Sequence, residues 1–83
     1  MIDLTKYLLE CDSVRTKFMQ KNSQNDRERL INDFVDYLYE EGLSKDQIEE
    51  ILNCESFLEA QGNSQMITNN KSYKEAVAKA LGK

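Results

Sequence analysis

The chain has 83 residues, 40% of them hydrophobic, and a formal net charge of −4 from 11 Lys and Arg against 15 Asp and Glu. This length is typical of one small domain, which buries a modest share of its surface and gains stability from a partner or a second copy. The chain has no His, which removes the commonest general base and transition-metal ligand. No apolar run approaches the roughly 18 residues of a membrane-spanning helix, so we expect no membrane insertion.

Apolar residues recur at helical spacing along the whole sequence, whereas the alternation typical of strands is nearly absent. We therefore predict an all-α fold without a sheet, a small bundle of four to five short helices. Residues 1–83 are expected to form a single helical domain. The last helix, over 72–82, follows a long polar connection at 62–71 and is expected to be the most loosely attached element.

The first predicted helix covers residues 3–11, with Asp3 as its N-cap and four apolar residues on one face (Leu4, Tyr7, Leu8 and Cys11). Two interpretations of the next residues stay open. Asp12 and Ser13 either end this helix, with Ser13 capping a second one that carries Val14, Phe18 and Met19, or lie within one bent helix.

A polar loop at 21–25 separates this region from the strongest helical pattern, which runs to about Glu41. Ser23 and Asp26 have the spacing of a loose capping box at its start. The apolar stripe is wide, which makes this the predicted central helix of the bundle. Its apolar members are Leu30, Ile31, Phe34, Val35, Leu38 and Tyr39.

A tight helical corner follows at residues 42–48. Gly42 occupies the position of a left-handed residue just past a helix C-terminus. Ser44 and Gln47 form a capping box for the next helix, and Leu43 can pack against Ile48 in a hydrophobic staple. Leu43 is thus predicted to fix both the end of one helix and the start of the next.

The third helix carries Ile48, Ile51 and Leu52 and is predicted to pause near Asn53. Asn53 can cap a short helix that ends at Gly62 and carries Phe57, Leu58 and Ala60. Ser72 and Glu75 then have the spacing of a capping box that starts the final helix. The apolar side of that helix is Tyr73, Ala76, Val77, Ala80 and Leu81.

Charge is unevenly placed along the chain. Residues 1–41 carry nine acids and six bases, residues 42–62 five acids and one base, and residues 63–83 one acid and four bases. The final helix is therefore a basic element on an acidic body. Lys71 and Lys74 lie in it, but no aromatic platform or Arg cluster accompanies them, which argues against nucleic acid as the partner.

Catalysis and cofactor binding have little support in the sequence. Cys11 and Cys54 have no His to activate them, and without a signal-peptide pattern we expect two buried, inert thiols in a cytoplasmic protein. No calcium-loop spacing is present, so we expect no metal and no cofactor. The helical corner resembles a DNA-binding turn only in outline, because Glu49 and Glu50 on its second helix would repel phosphates.

Protein binding is the function that remains. We expect a small acidic regulator, inhibitor or adaptor with a protein partner, or a second copy of the chain, and its Asn- and Lys-rich composition is common in phage and mobile-element accessory proteins. Tyr37 and Tyr39 flank Leu38, so both cannot face the core, and an exposed tyrosine is a usual interface anchor. The predicted partner-binding residues are Tyr37, Tyr39, Phe57, Leu58, Lys71 and Lys74. Two alternatives stay open: a nucleic-acid-associated protein that uses the basic C-terminal helix, and an acidic mimic of DNA that inhibits a DNA-binding protein.

Overall fold

The computed structural model describes residues 4–54 and 71–82, and these residues form four α-helices and no strand. The helices are α1 (Thr5–Gln20), α2 (Gln24–Glu40), α3 (Lys45–Asn53) and α4 (Lys71–Leu81). The predicted all-α class is confirmed. The predicted cap at Asp3, the short helix through Phe57, Leu58 and Ala60, and most of the connection at 62–71 lie outside the described residues.

One continuous helix covers the region where the sequence left two interpretations open. The Asp12 carboxylate pairs with Arg15 Nη1 at 3.4 Å, one turn ahead, and therefore does not end the helix. Thr16 Oγ1 donates to the Asp12 carbonyl at 3.1 Å. The polar residues in the middle of α1 are thus satisfied within the helix, which runs on to bury Phe18.

The predicted cap at Ser23 and the predicted left-handed turn at Gly42 are confirmed at the two ends of α2. Ser23 Oγ accepts from the Asp26 amide at 3.2 Å at the start. At the end, Gly42 has a φ of +90°, a conformation that a side chain disfavours. The Leu43 amide donates to the Leu38 carbonyl at 3.2 Å, which together with a bond from the Gly42 amide to the Tyr39 carbonyl completes a Schellman motif.

The start of α3 also follows the prediction. Ser44 Oγ accepts from the Gln47 amide at 3.2 Å, and Gln47 Oε1 accepts from the Ser44 amide at 2.9 Å, which completes the capping box. Leu43 and Ile48 on either side of this box are both buried. The corner between α2 and α3 is therefore specified by five residues within 42–48: Gly42, Leu43, Ser44, Gln47 and Ile48.

The predicted N-cap of the final helix is wrong. Lys71 is already helical, so Ser72 lies inside the first turn of α4. Its side chain bonds across to α2 instead: Ser72 Oγ donates to Gln24 Oε1 and accepts from Arg27 Nη1. Gln24 Nε2 also donates to the Ser72 carbonyl at 3.2 Å. The spacing of Ser72 and Glu75 is that of a capping box, but the Ser72 hydroxyl bonds to side chains of α2 instead.

The core lies between all four helices and is centred on α2 and α4. The helices α2 and α4 run side by side in the same direction, because Gln24 bonds to Ser72 at one end and Glu28 to Lys79 further along. Phe18 and Tyr73 meet edge to face with ring centroids 5.4 Å apart. The buried apolar residues are Tyr7, Cys11, Phe18, Ile31, Phe34, Val35, Leu38, Leu43, Ile48, Ile51, Leu52, Tyr73, Ala76, Val77 and Ala80.

A buried arginine closes the C-terminal end of α3. Arg15 is only 2% exposed, and its Nη2 donates to the carbonyls of Leu52 at 2.9 Å and Cys54 at 2.5 Å. Tyr73 Oη donates to the same Leu52 carbonyl at 2.6 Å. Carbonyls at a helix C-terminus have no partner within the helix and attract a cation. Side chains from α1 and α4 therefore bond to the carbonyls at the end of α3.

The two cysteines differ, and the prediction of two buried thiols is wrong for one of them. Cys11 is 1% exposed, whereas Cys54 is half-buried because it lies past the last turn of α3. Burial raises the pKa of the Cys11 thiol from 9.0 to about 11. Both cysteines are free. Cys11 therefore stays a neutral thiol at physiological pH.

Candidate interaction surface

The two tyrosines at the end of α2 have different environments. Tyr37 is half-buried and stacks on Phe34 with ring centroids 6.2 Å apart, and its hydroxyl donates to Glu10 Oε1 on α1 at 3.2 Å. Burial and this bond raise the pKa of Tyr37 to about 12. Tyr39 is 44% exposed. The structure therefore places Tyr37 at the contact between α1 and α2 and leaves Tyr39 accessible.

Helical geometry explains this difference. Leu38 is fully buried, and its two neighbours lie about 100° to either side of it around the helix. One side of α2 faces α1, where Glu10 accepts the bond from Tyr37. Tyr39 falls on the opposite side, in the last turn of α2, with the exposed acids Asp36 and Glu40 next to it on the outer surface.

The lysines predicted as binding residues lie elsewhere. Lys71 and Lys74 are exposed in the first turns of α4. Ser72, the residue after Lys71, bonds to Gln24 at the start of α2, and Gln24 lies about 22 Å before Tyr39 along the α2 axis. The predicted residues thus do not form one patch, and Phe57 and Leu58 lie outside the described residues.

A groove runs between α2 and α4 and has a volume of about 320 Å³. It is lined by Glu28, Arg29 and Asn32 from α2 and by Lys79 and Ala80 from α4. Lys79 Nζ contacts both carboxylate oxygens of Glu28, at 3.0 and 3.2 Å. These hydrogen bonds lower the pKa of Glu28. The ion pair bridges the two helices beside the groove.

Tyr39 lies on the groove side of α2. Counting along the helix, Glu28, Asn32 and Tyr39 are at positions i, i+4 and i+11, which fall within about 40° of one another around the axis. Tyr39 therefore stands about 10 Å beyond Asn32 on the same helical face. The groove and the exposed ring form one line along α2.

Some residues of this surface were missed by sequence reasoning. Asn32 gave no signal, and the sequence indicated Lys79 only as one of the bases of the final helix, because the proximity of the two residues depends on the parallel packing of α2 and α4. Arg15 belongs to the core and not to this surface, and it did leave a signal, since it lies four residues after Cys11 and three before Phe18, on the buried face of α1. Because arginine is charged, a hydrophobicity pattern does not identify its position as part of the core.

Comparisons of the chain with protein-family models, with curated proteins and with solved structures found no match. Within residues 4–54 and 71–82, no helix is both long and apolar enough to cross a bilayer. No group of three or more metal-ligating side chains occurs within the same residues.

Proposed function

We propose that this chain acts by binding another protein through the exposed end of α2, as a small acidic cytoplasmic regulator, inhibitor or adaptor. The single observation that supports this most is Tyr39, an aromatic side chain that is 44% exposed next to the buried face of its helix. Tyrosine on a rigid element gives a large contact area at a low cost in conformational entropy, and such residues often dominate binding energy.

The surroundings of Tyr39 support the same conclusion. Its helix is fixed by contacts with α1, α3 and α4 and by caps at both ends, so the ring is presented on a rigid element. Asp36 and Glu40 provide a polar rim next to it. An exposed aromatic residue within a polar rim is the usual arrangement of a protein interface.

The test is a quantitative capture experiment with matched variants. Tagged wild-type protein and the variants Tyr39→Ala, Leu9→Ala and Met19→Ala are incubated with lysate of the native host, and bound proteins are measured by mass spectrometry. Leu9 and Met19 are the matched controls, because they are 55% and 43% exposed on α1. We expect one protein that Tyr39→Ala loses and both controls retain.

The captured partner is then purified, and its dissociation constant is measured for each variant. An unchanged affinity for Tyr39→Ala, or an equal loss for all three variants, contradicts the proposal. Thermal unfolding of the variants shows that the change in binding is not a change in folding.

The two alternatives predicted from the sequence give other outcomes. A nucleic-acid-associated protein would be retained on DNA or RNA at low salt, and Lys71→Glu with Lys74→Glu would remove that retention. An acidic mimic of DNA would capture a DNA-binding protein that DNA displaces. Loss of binding in Tyr39→Ala without any effect of DNA would exclude both.

A further inference from the structure

The groove between α2 and α4, together with Tyr39, has the form of a docking site for a helix. Its lining carries one ion pair, Lys79 with Glu28, and one further cation, Arg29, while Ala80 contributes a methyl group. The long side chains of Arg29 and Lys79 add aliphatic stems to the walls. These stems and the Ala80 methyl group offer a surface on which apolar side chains can pack, with Asn32 and the Arg29 guanidinium as polar groups of the lining.

The charge of the rim indicates the charge of the occupant. The outer surface of α2 carries Asp33, Asp36 and Glu40, all exposed and at positions i, i+3 and i+7, which form one strip beside Tyr39. After Arg29, the remaining residues of α2 include no Lys or Arg. A segment that lies along this line would meet negative charge on its outer flank, where Lys or Arg would be favourable.

From these two observations we infer that the line formed by the groove and Tyr39 binds an amphipathic helix of a partner protein, with an apolar stripe against the groove and Tyr39 and a basic flank against Asp33, Asp36 and Glu40. This inference rests on the proposed function and names the partner's chemistry. A helix bound in such a groove contacts it through apolar side chains at positions i, i+3, i+4 and i+7. The distance of about 10 Å from Asn32 to Tyr39 corresponds to two turns of that helix.

Two labelled model peptides test the inference directly. Each has about 18 residues, five helical turns, with leucines on one face. One carries Lys and Arg on the flanks, and the other carries Glu at the same positions. Fluorescence anisotropy at moderate ionic strength measures their affinity for the full chain. We expect saturable binding of the basic peptide and at least about tenfold weaker binding of the acidic one.

Variants then locate the contact. Tyr39→Ala and Asn32→Trp, which fills the groove, should each weaken binding of the basic peptide about tenfold, or about 1.4 kcal/mol. Ser13→Trp is the matched control, because it adds the same bulk to an exposed position on α1. Glu40→Lys should reduce the preference for the basic peptide. Backbone amide chemical shifts on peptide addition should change mainly at residues 28–40 and 79–80.

The outcomes separate this inference from the proposed function. Absence of saturable binding, equal affinity for both peptides, or shift changes confined to other surfaces would overturn the helix-docking inference. The proposed function would stand if the captured partner still depends on Tyr39. If no partner depends on Tyr39, the proposed function fails, whatever the peptides show.

Discussion

Replacing Arg15 by Met is the most informative perturbation of this fold. The change keeps a long side chain of similar reach but removes the guanidinium that donates to the Leu52 and Cys54 carbonyls. It also removes the ion pair with the Asp12 carboxylate, whose side chain is 14% exposed. A buried ion pair can often be replaced by apolar residues without loss, but here the acceptors are backbone carbonyls that no substitution can remove.

The magnitude follows from the interactions that are lost. Leu52 keeps its bond from Tyr73, so most of the loss comes from the Cys54 carbonyl and from the broken ion pair with Asp12. An orphaned buried acceptor costs about 1–3 kcal/mol, and more if charged, so we expect a loss of about 3–5 kcal/mol. A domain of 83 residues has a total unfolding free energy of about 4–12 kcal/mol. The expected loss is therefore at least about a quarter of the total stability, and it equals the whole stability at the lower end of that range.

Urea unfolding at neutral pH, followed by far-UV circular dichroism, measures this loss. Lys17→Met is the control, because it makes the same type of change on the exposed face of α1 and should stay within about 0.5 kcal/mol of wild type. Arg15→Lys keeps the positive charge but lacks the several N–H donors of the guanidinium, so its unfolding free energy should lie between those of Arg15→Met and Lys17→Met. An Arg15→Met variant as stable as Lys17→Met would refute the reasoning.

Other positions give further predictions. Leu43→Ser should lower the unfolding free energy by about 1–3 kcal/mol, as measured by urea unfolding, because it removes an apolar side chain shared by both sides of the corner. Tyr37→Ala should lower the melting temperature markedly and Tyr39→Ala hardly at all; equal losses would place both rings in the core. In native protein a thiol reagent should modify Cys54 much faster than Cys11, and equal rates would contradict the burial of Cys11. Because the pKa of Cys11 is raised to about 11, stability should fall as pH rises from about 9 to 11, where the unfolded thiol ionises first, and Cys11→Ala should flatten that decline.

The structural features that could be predicted from the sequence are those formed between residues close together in the chain. The cap at Ser23, the turn at Gly42 and the capping box at Ser44 involve hydrogen bonds over three to five residues, so spacing alone identifies them. Ser72 has an equally good local pattern, yet Gln24 and Arg27 take its hydroxyl. A local signal cannot show that a distant side chain competes for the same group.

The candidate surface likewise has features that the local sequence predicts and features that depend on how the helices pack. That one of Tyr37 and Tyr39 is exposed follows from helical periodicity, but which one depends on the side on which α1 packs. The groove with Asn32 and Lys79 depends on α2 and α4 running in the same direction, a tertiary relation without a local pattern. Arg15 gave two conflicting signals, since its position on the helix indicated burial while its charge argued against burial.

The way α3 is completed has a consequence for how the protein opens. A helix of nine residues is too short to persist alone in water. Its first turn is held by its own sequence, but its last carbonyls are bonded by Arg15, 39 residues before Cys54, and by Tyr73, 21 residues after Leu52. Its amide hydrogens should therefore exchange with solvent only when α1 or α4 separates from it, so that the slowest exchange in α3 reports the undocking of the other helices rather than local fraying.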